Sequence, residues 1–219
     1  VIYARNACFE LAKQLGVKTF WQLDDDYVQI CYRVNGNYDY VDQNVDAIIV
    51  DLNRVILRAI EYYQSIPALS LAFAQTGDYI GGDGGDFPTS MTRRRKAMNT
   101  FFCSTDRPFQ FVGRINEDVN TYTSLQRLGH LFLTFALVSV QQRPTQSNKG
   151  GMTDLYLASG TYVKSFYPVM YTPSAVRCAA LHTDNARIHH RIEWRYAVPY
   201  IIPEACRKPR PPQPVEVQP

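Results

Sequence analysis

Between positions 45 and 63, Val45, Ile48, Ile49, Leu52, Val55, Ile56, Ile60 and Tyr63 recur at the i, i+3, i+4, i+7 spacing of one helical face. That periodicity predicts an amphipathic helix over 45–63, ended by Pro67. An earlier helix is predicted over 7–15, capped by Asn6, with Cys8, Leu11, Ala12 and Leu15 on its apolar face and Gly16 as its stop. Residues 17–23 (VKTFWQL) are rich in β-formers and read as a strand, and 69–74 (LSLAFA) as a short buried one. Further strands are expected at 109–112 and 131–140, with a helix over 119–128 between them. The aromatic-rich stretch 156–171 suits helix or strand equally. Alternating helices and strands indicate an α/β layer structure. Two stretches break the pattern: 77–88 (GDYIGGDGGDFP), with five glycines in twelve residues, and the polar 141–151. Both read as loops.

Composition narrows the class. The 219 residues, 46% apolar and 13% aromatic, suffice for one sizeable core and exclude general disorder. The longest apolar run, 131–140, is too short to span a bilayer and is broken by Thr134 and Ser139. No basic-then-apolar leader opens the chain. Five cysteines without CxxC spacing give no zinc knuckle and no disulfide framework, which favours a reducing, cytoplasmic setting, that of the host if the protein is viral. One domain is expected over 1–202, followed by a proline-rich extended tail over 203–219.

Net charge is only +3 but unevenly placed. Residues 1–60 carry 6 basic and 8 acidic side chains, 86–114 carry 6 and 2, and 177–210 carry 7 and 3 with three of the four histidines. An acidic beginning followed by two basic zones suits a protein that holds a cation early and polyanions later. The plainer alternative is that the arginines solvate a surface.

The sharpest chemical signal is Asp24-Asp25-Asp26, directly after the 17–23 strand. Adjacent carboxylates repel one another, and a cation relieves the repulsion. At the carboxyl end of a strand they face the crevice where α/β sheets bind ligands. Carboxylate oxygens suit Mg²⁺ or Mn²⁺. A solvated acidic turn is the alternative.

Ala4-Arg5-Asn6, a helix, then Phe20-Trp21-Gln22-Leu23-Asp24-Asp25-Asp26 resembles the "ARN, helix, strand, DxD" block of GT-A fold nucleotide-sugar glycosyltransferases. With Tyr27 after the acids and GTYVKSFY at 160–167, the chain is most similar to the TET/JBP-associated glycosyltransferases, largely phage-encoded and associated with sugars on hydroxymethylated pyrimidines in DNA. The resemblance implies a GT-A-like mixed sheet flanked by helices. It implies a divalent ion on Asp24 and Asp26 bridging the diphosphate of a donor such as a UDP-sugar, and donor contacts from Arg5, Asn6, Asp25, Gly150 and Gly151. Asn116-Glu117-Asp118 resembles the site where inverting members place the general base, with Asp118 as base and Glu117 positioning it or the acceptor. An acidic first turn favoured by the helix dipole is the alternative. Many such enzymes complete the metal shell with a late histidine; His182 is the first candidate and His190 the second, a satisfied surface or core histidine being the alternative.

On the acceptor side, Asp83 and Asp86 in the glycine-rich loop are placed for hydroxyls, and Arg93-Arg94-Arg95-Lys96 for the phosphate backbone. Phe87, Phe101 and Phe102 offer stacking for a displaced base, core packing being the more ordinary fate of the last two. Only Val1-Ile2-Tyr3 precedes the ARN block, so the sequence reads as a fragment lacking the first strands of the fold, with the donor-base pocket upstream. Three functions follow: sugar transfer to modified DNA, the same chemistry on a carbohydrate or lipid-linked acceptor, or a silent GT-A-like module binding nucleic acid or protein.

Overall fold

A computed structural model describes residues 1–37, 39–42, 47–79, 91–143, 153–181, 187–201 and 204. The Gly81–Asp86 region, Phe87, Gly150, Gly151, His182 and all of the proline-rich tail but Glu204 lie outside the described residues.

The first helix, α1 (Ile2–Gln14), starts earlier than its sequence indicates, because Asn6 is not a cap. Its amide instead donates to the Phe111 carbonyl (3.1 Å) and accepts from the Phe111 N–H (2.8 Å). The buried face is Arg5, Phe9 and Ala12, whereas Leu11 and Leu15 face outward. Gly16, at φ +69°, ends the helix as expected.

Strand β1 (Thr19–Gln22) leads into the three aspartates, and β2 (Tyr27–Tyr32), which the sequence pattern did not reveal, leaves them. Helix α2 (Leu52–Ser65) begins seven residues later than its periodicity implies. Asp51 caps it by accepting the Arg54 N–H at 3.0 Å. Ile48 and Ile49 extend the apolar pattern for another reason: Ile48 bridges Cys31, and the Ile49 N–H donates to Ile30.

Strand β3 (Ser70–Gln75) is buried throughout, and a 3-10 turn over Thr76–Tyr79 follows it. After β4 (Met91–Thr92) comes β5 (Phe101–Ser104), where Phe101 and Phe102 are core residues unable to stack a base. The 109–112 segment is not a strand; it sends Phe109 and Phe111 into the core. Helix α3 (Glu117–Gln126) and strand β6 (Phe132–Gln142) match their patterns closely. The ambiguous stretch is a helix, α4 (Thr153–Tyr171), with Pro168 inside it. Strands β7 (Val176–Leu181) and β8 (Arg187–Ile192) and the short α5 (Trp194–Ala197) complete the order.

The main sheet runs β1-β5-β3-β6-β2, with β4 also on β6. Among the described residues only the β3–β6 pair is parallel, and it slips register between Phe73 and Ala74. Strand alternation sends side chains to two faces. On one, Ala72, Phe101 and Cys103 pack with Phe9 of α1 and Val119 and Tyr122 of α3. On the other, Leu71, Phe73 and Phe102 pack with Ala59 and Tyr63 of α2. Each fully buried large side chain contributes about 1.5–3 kcal/mol. This is a GT-A-like mixed α/β sheet flanked by helices. The antiparallel β7–β8 hairpin packs on α4, which in turn packs on α3, and Trp194 of α5 stacks on Tyr122 of α3 with centroids 6.1 Å apart. Cys8, Cys103 and Cys178 are free thiols.

Candidate active site

The carboxyl end of β1 and the first turns of α1 and α3 converge around one guanidinium. Arg5 donates through one amino group to Asp24 Oδ1 (2.7 Å) and through Nε to Glu117 Oε1 (3.0 Å). It is buried, at 5% exposure, with its guanidinium carbon 5.2 Å and 5.5 Å from the Phe101 and Phe111 ring centres. The first aspartate of the DDD run and the acidic pair of α3, read separately from sequence, are thus neighbours.

A chain of hydrogen bonds fixes the acidic loop. The Asp24 N–H donates to the Tyr27 hydroxyl (3.2 Å), which donates to the Asn99 carbonyl (2.9 Å). The Asn99 amide donates to Gln142 Oε1 (2.7 Å), and Gln142 Nε2 donates to Asp26 Oδ1 (2.9 Å). Burial raises the Tyr27 hydroxyl well above its ordinary range, so it remains a donor. Asp24 and Asp26 are half-buried, while Asp25 points to solvent. Sequence reasoning missed Asn99 and Gln142, which carry no local signal.

The charges crowd one another. Burial raises the Asp24 carboxyl; Arg5 opposes this, but Glu117 and Asp26 add to it. Burial, then the Glu117 charge, push Asp118 up to about 6, despite the Val119 N–H donating to its Oδ1 at 2.7 Å. Asp24, Glu117 and Asp118 lie around Arg5, with Asp26 acting on Asp24 and Lys96 on Asp118, and the remaining excess of acids is one that a cation would relieve. The oxygen donors of Asp24 and Asp26 fit Mg²⁺ or Mn²⁺, which take one or two carboxylates and fill their shell with water and substrate phosphates. Among the described residues, no three His, Cys, Asp or Glu side chains form a complete metal cage. His190 is buried, and burial, then the charges of Lys96, His189 and Lys164, push its pKa down to about 2.

The basic run is divided. Arg93 and Arg94 are exposed, Arg95 is half-buried, and Lys96 turns inward. Burial lowers the Lys96 ammonium, and the charges of Asp118 and Asp78 oppose this, so Lys96 lies within the field of the acidic pair. Asn6 serves the backbone of 111, as described, and its side chain is committed there. Asp83, Asp86, Gly150, Gly151 and His182 fall outside the described residues.

The chain is a glycosyltransferase with a GT-A-like fold. Residues 1–151 match the family model described as TET-Associated Glycosyltransferase, and the chain belongs to that family. Neither a curated protein nor a solved structure matches it. No helix among the described residues is long and apolar enough to cross a membrane.

Proposed function

We propose that the protein transfers a sugar, with inversion, from a nucleoside-diphosphate sugar such as a UDP-sugar to the hydroxymethyl group of a modified pyrimidine in DNA. The observation that carries this reading is the convergence of Asp24 and Glu117 on Arg5, with the raised carboxyl of Asp118 beside them. Asp24 and Asp26 would hold Mg²⁺ or Mn²⁺, which when bound neutralises charge developing on the leaving diphosphate.

The acceptor oxygen attacks the anomeric carbon, and its proton passes to a carboxylate of Asp118. The bond from that carbon to the diphosphate oxygen breaks, and the nucleoside diphosphate leaves with its electron pair. A base of this kind works best with a pKa near the operating pH, and burial moves Asp118 in that direction. Glu117, held by Arg5, lies beside Asp118, and its charge adds to that shift. Family membership supports the DNA-linked acceptor.

The test is sugar transfer to hydroxymethylated DNA with saturating donor and Mn²⁺. Asp118→Asn keeps the size and removes the proton acceptor, and should lower turnover by about 10²- to 10⁴-fold. Glu117→Gln should lose less. An Asp118→Asn protein with most of its turnover would remove the base from this account.

A further inference from the structure

Asn116, immediately before Glu117 and Asp118, has left-handed backbone, φ 52° and ψ 43°. That conformation is uncommon outside glycine, though asparagine tolerates it better than most. An asparagine at a helix N-cap ordinarily turns its side chain onto the N–H groups of the first turn. Here it makes no such bond. Its amide Nδ2 donates to the Lys164 carbonyl in α4 at 2.7 Å and lies 3.4 Å from Nδ1 of His190 in β8.

The Lys164 carbonyl is available for a reason written in the sequence. In an α-helix it would accept the N–H of the residue four positions on, which is Pro168. Proline has no N–H, so the usual i+4 donor is not offered at that position. The Asn116 amide donates to the same carbonyl. His190 is 4% exposed and neutral, so its Nδ1 can accept from Asn116 when the ring proton is on Nε2; among the described residues Nε2 has no hydrogen-bond partner. The Asn116 carbonyl then accepts the Asn120 N–H (2.9 Å), the first bond of α3. The opposite side of the turn is equally constrained: the Asn120 amide donates to Val112 and Ile115 carbonyls, and a Cβ on Gly113 would lie 2.1 Å from that amide.

From this geometry we infer that Asn116 is a positioning residue for Asp118, clamped by the carbonyl that Pro168 exposes and by His190. The inference rests on the reading of Asp118 as the base. It assigns α4 and the β7–β8 hairpin, which lie beyond the family match over residues 1–151, a part in aiming the acidic pair.

Two variants separate aiming from mere folding. Asn116→Gly accepts the left-handed backbone without strain but has no amide. Pro168→Ala returns an N–H to compete for the Lys164 carbonyl while removing a helix-interior proline, so it should raise Tm. With the whole chain, Mn²⁺, UDP-glucose and a 5-hydroxymethylcytosine duplex as probes, both should lower kcat by about 10- to 100-fold. The donor KM should stay within about twofold, since the groups touching the donor are unchanged. In Asn116→Gly, hydrogen exchange at the Asn120 amide should accelerate about tenfold or more while that of β3 stays constant. A variant more stable but slower is not what a purely structural proline would give. Unchanged Asn120 exchange, or parental kcat in both variants, would overturn the inference. Parental kcat there alongside an inactive Asp118→Asn would leave the base assignment standing. Parental turnover in Asp118→Asn would remove the base and the positioning role together.

Discussion

Arg5 and Asp24 are separated by 19 positions in the chain and by 2.7 Å in the fold. The pair joins the first helix to the end of β1, and the same guanidinium continues to Glu117, 112 positions from it. A buried arginine between two carboxylates is costly to desolvate, and much more costly to halve.

Arg5→Ala should therefore destabilise the protein by about 3–5 kcal/mol, since it leaves Asp24 and Glu117 repelling each other without a counter-charge and strips a cation from Phe101 and Phe111. Arg5→Lys should recover only part, because one ammonium cannot reproduce the two-armed geometry. Urea unfolding measures both. A loss below about 1 kcal/mol in Arg5→Ala would show that the acids do not depend on it.

Much of this arrangement was legible beforehand. Three aspartates after a β-forming run announced the acidic loop, and Asn116-Glu117-Asp118 announced the start of α3. What stayed hidden was set by partners distant in sequence. Asn6 resembles a helix cap until Phe111 claims its amide. Ile48 and Ile49 continue the apolar period of α2, yet Asp51 starts that helix and they bridge to β2 instead. Lys96 ends a run of four basic residues, but the chain turns it toward Asp118 while Arg93 and Arg94 remain outside. Periodicity reports burial; it does not report which side of a turn a charge ends on.

The pH dependence follows from Asp118. Its native pKa of about 6 lies above the ordinary aspartate value of about 3.9. Between those values the unfolded chain releases a proton that the native protein keeps. The stability contributed by this group is thus complete below about pH 4 and is lost as pH rises through about 6. Asp118→Asn has no proton to lose, so its Tm relative to the parent should be higher at pH 8 than at pH 4. The scale is about 2–4 °C per kcal/mol for a chain of this size. The rate should run the opposite way, with kcat/KM of the parent rising through the pKa of the metal-loaded enzyme as the base ionises. A Tm difference that does not change with pH would mean that Asp118 is not held protonated by its surroundings.

The division of the basic run gives the last prediction. Exposed arginines that meet phosphates release counterions, and each such contact adds nearly one unit to the slope of log affinity against log salt. Changing Arg93 and Arg94 together to Ala should weaken DNA binding similarly across sequences and make that slope shallower by about two. Lys96→Ala should leave the slope in place, because its ammonium faces Asp118 and Asp78 within the fold. Its effect should fall on turnover: without that positive charge the Asp118 carboxyl is pushed higher still, and the base is ionised less often at a given pH. Fluorescence anisotropy on labelled duplexes across a salt series, beside pH profiles of kcat/KM, separates the two behaviours. If Lys96→Ala flattened the slope and left the pH profile alone, the lysine would belong with its neighbours on the DNA face. If the double arginine variant kept the parental slope, those two side chains would be solvated surface, and the phosphate contacts would have to be sought on another part of the molecule.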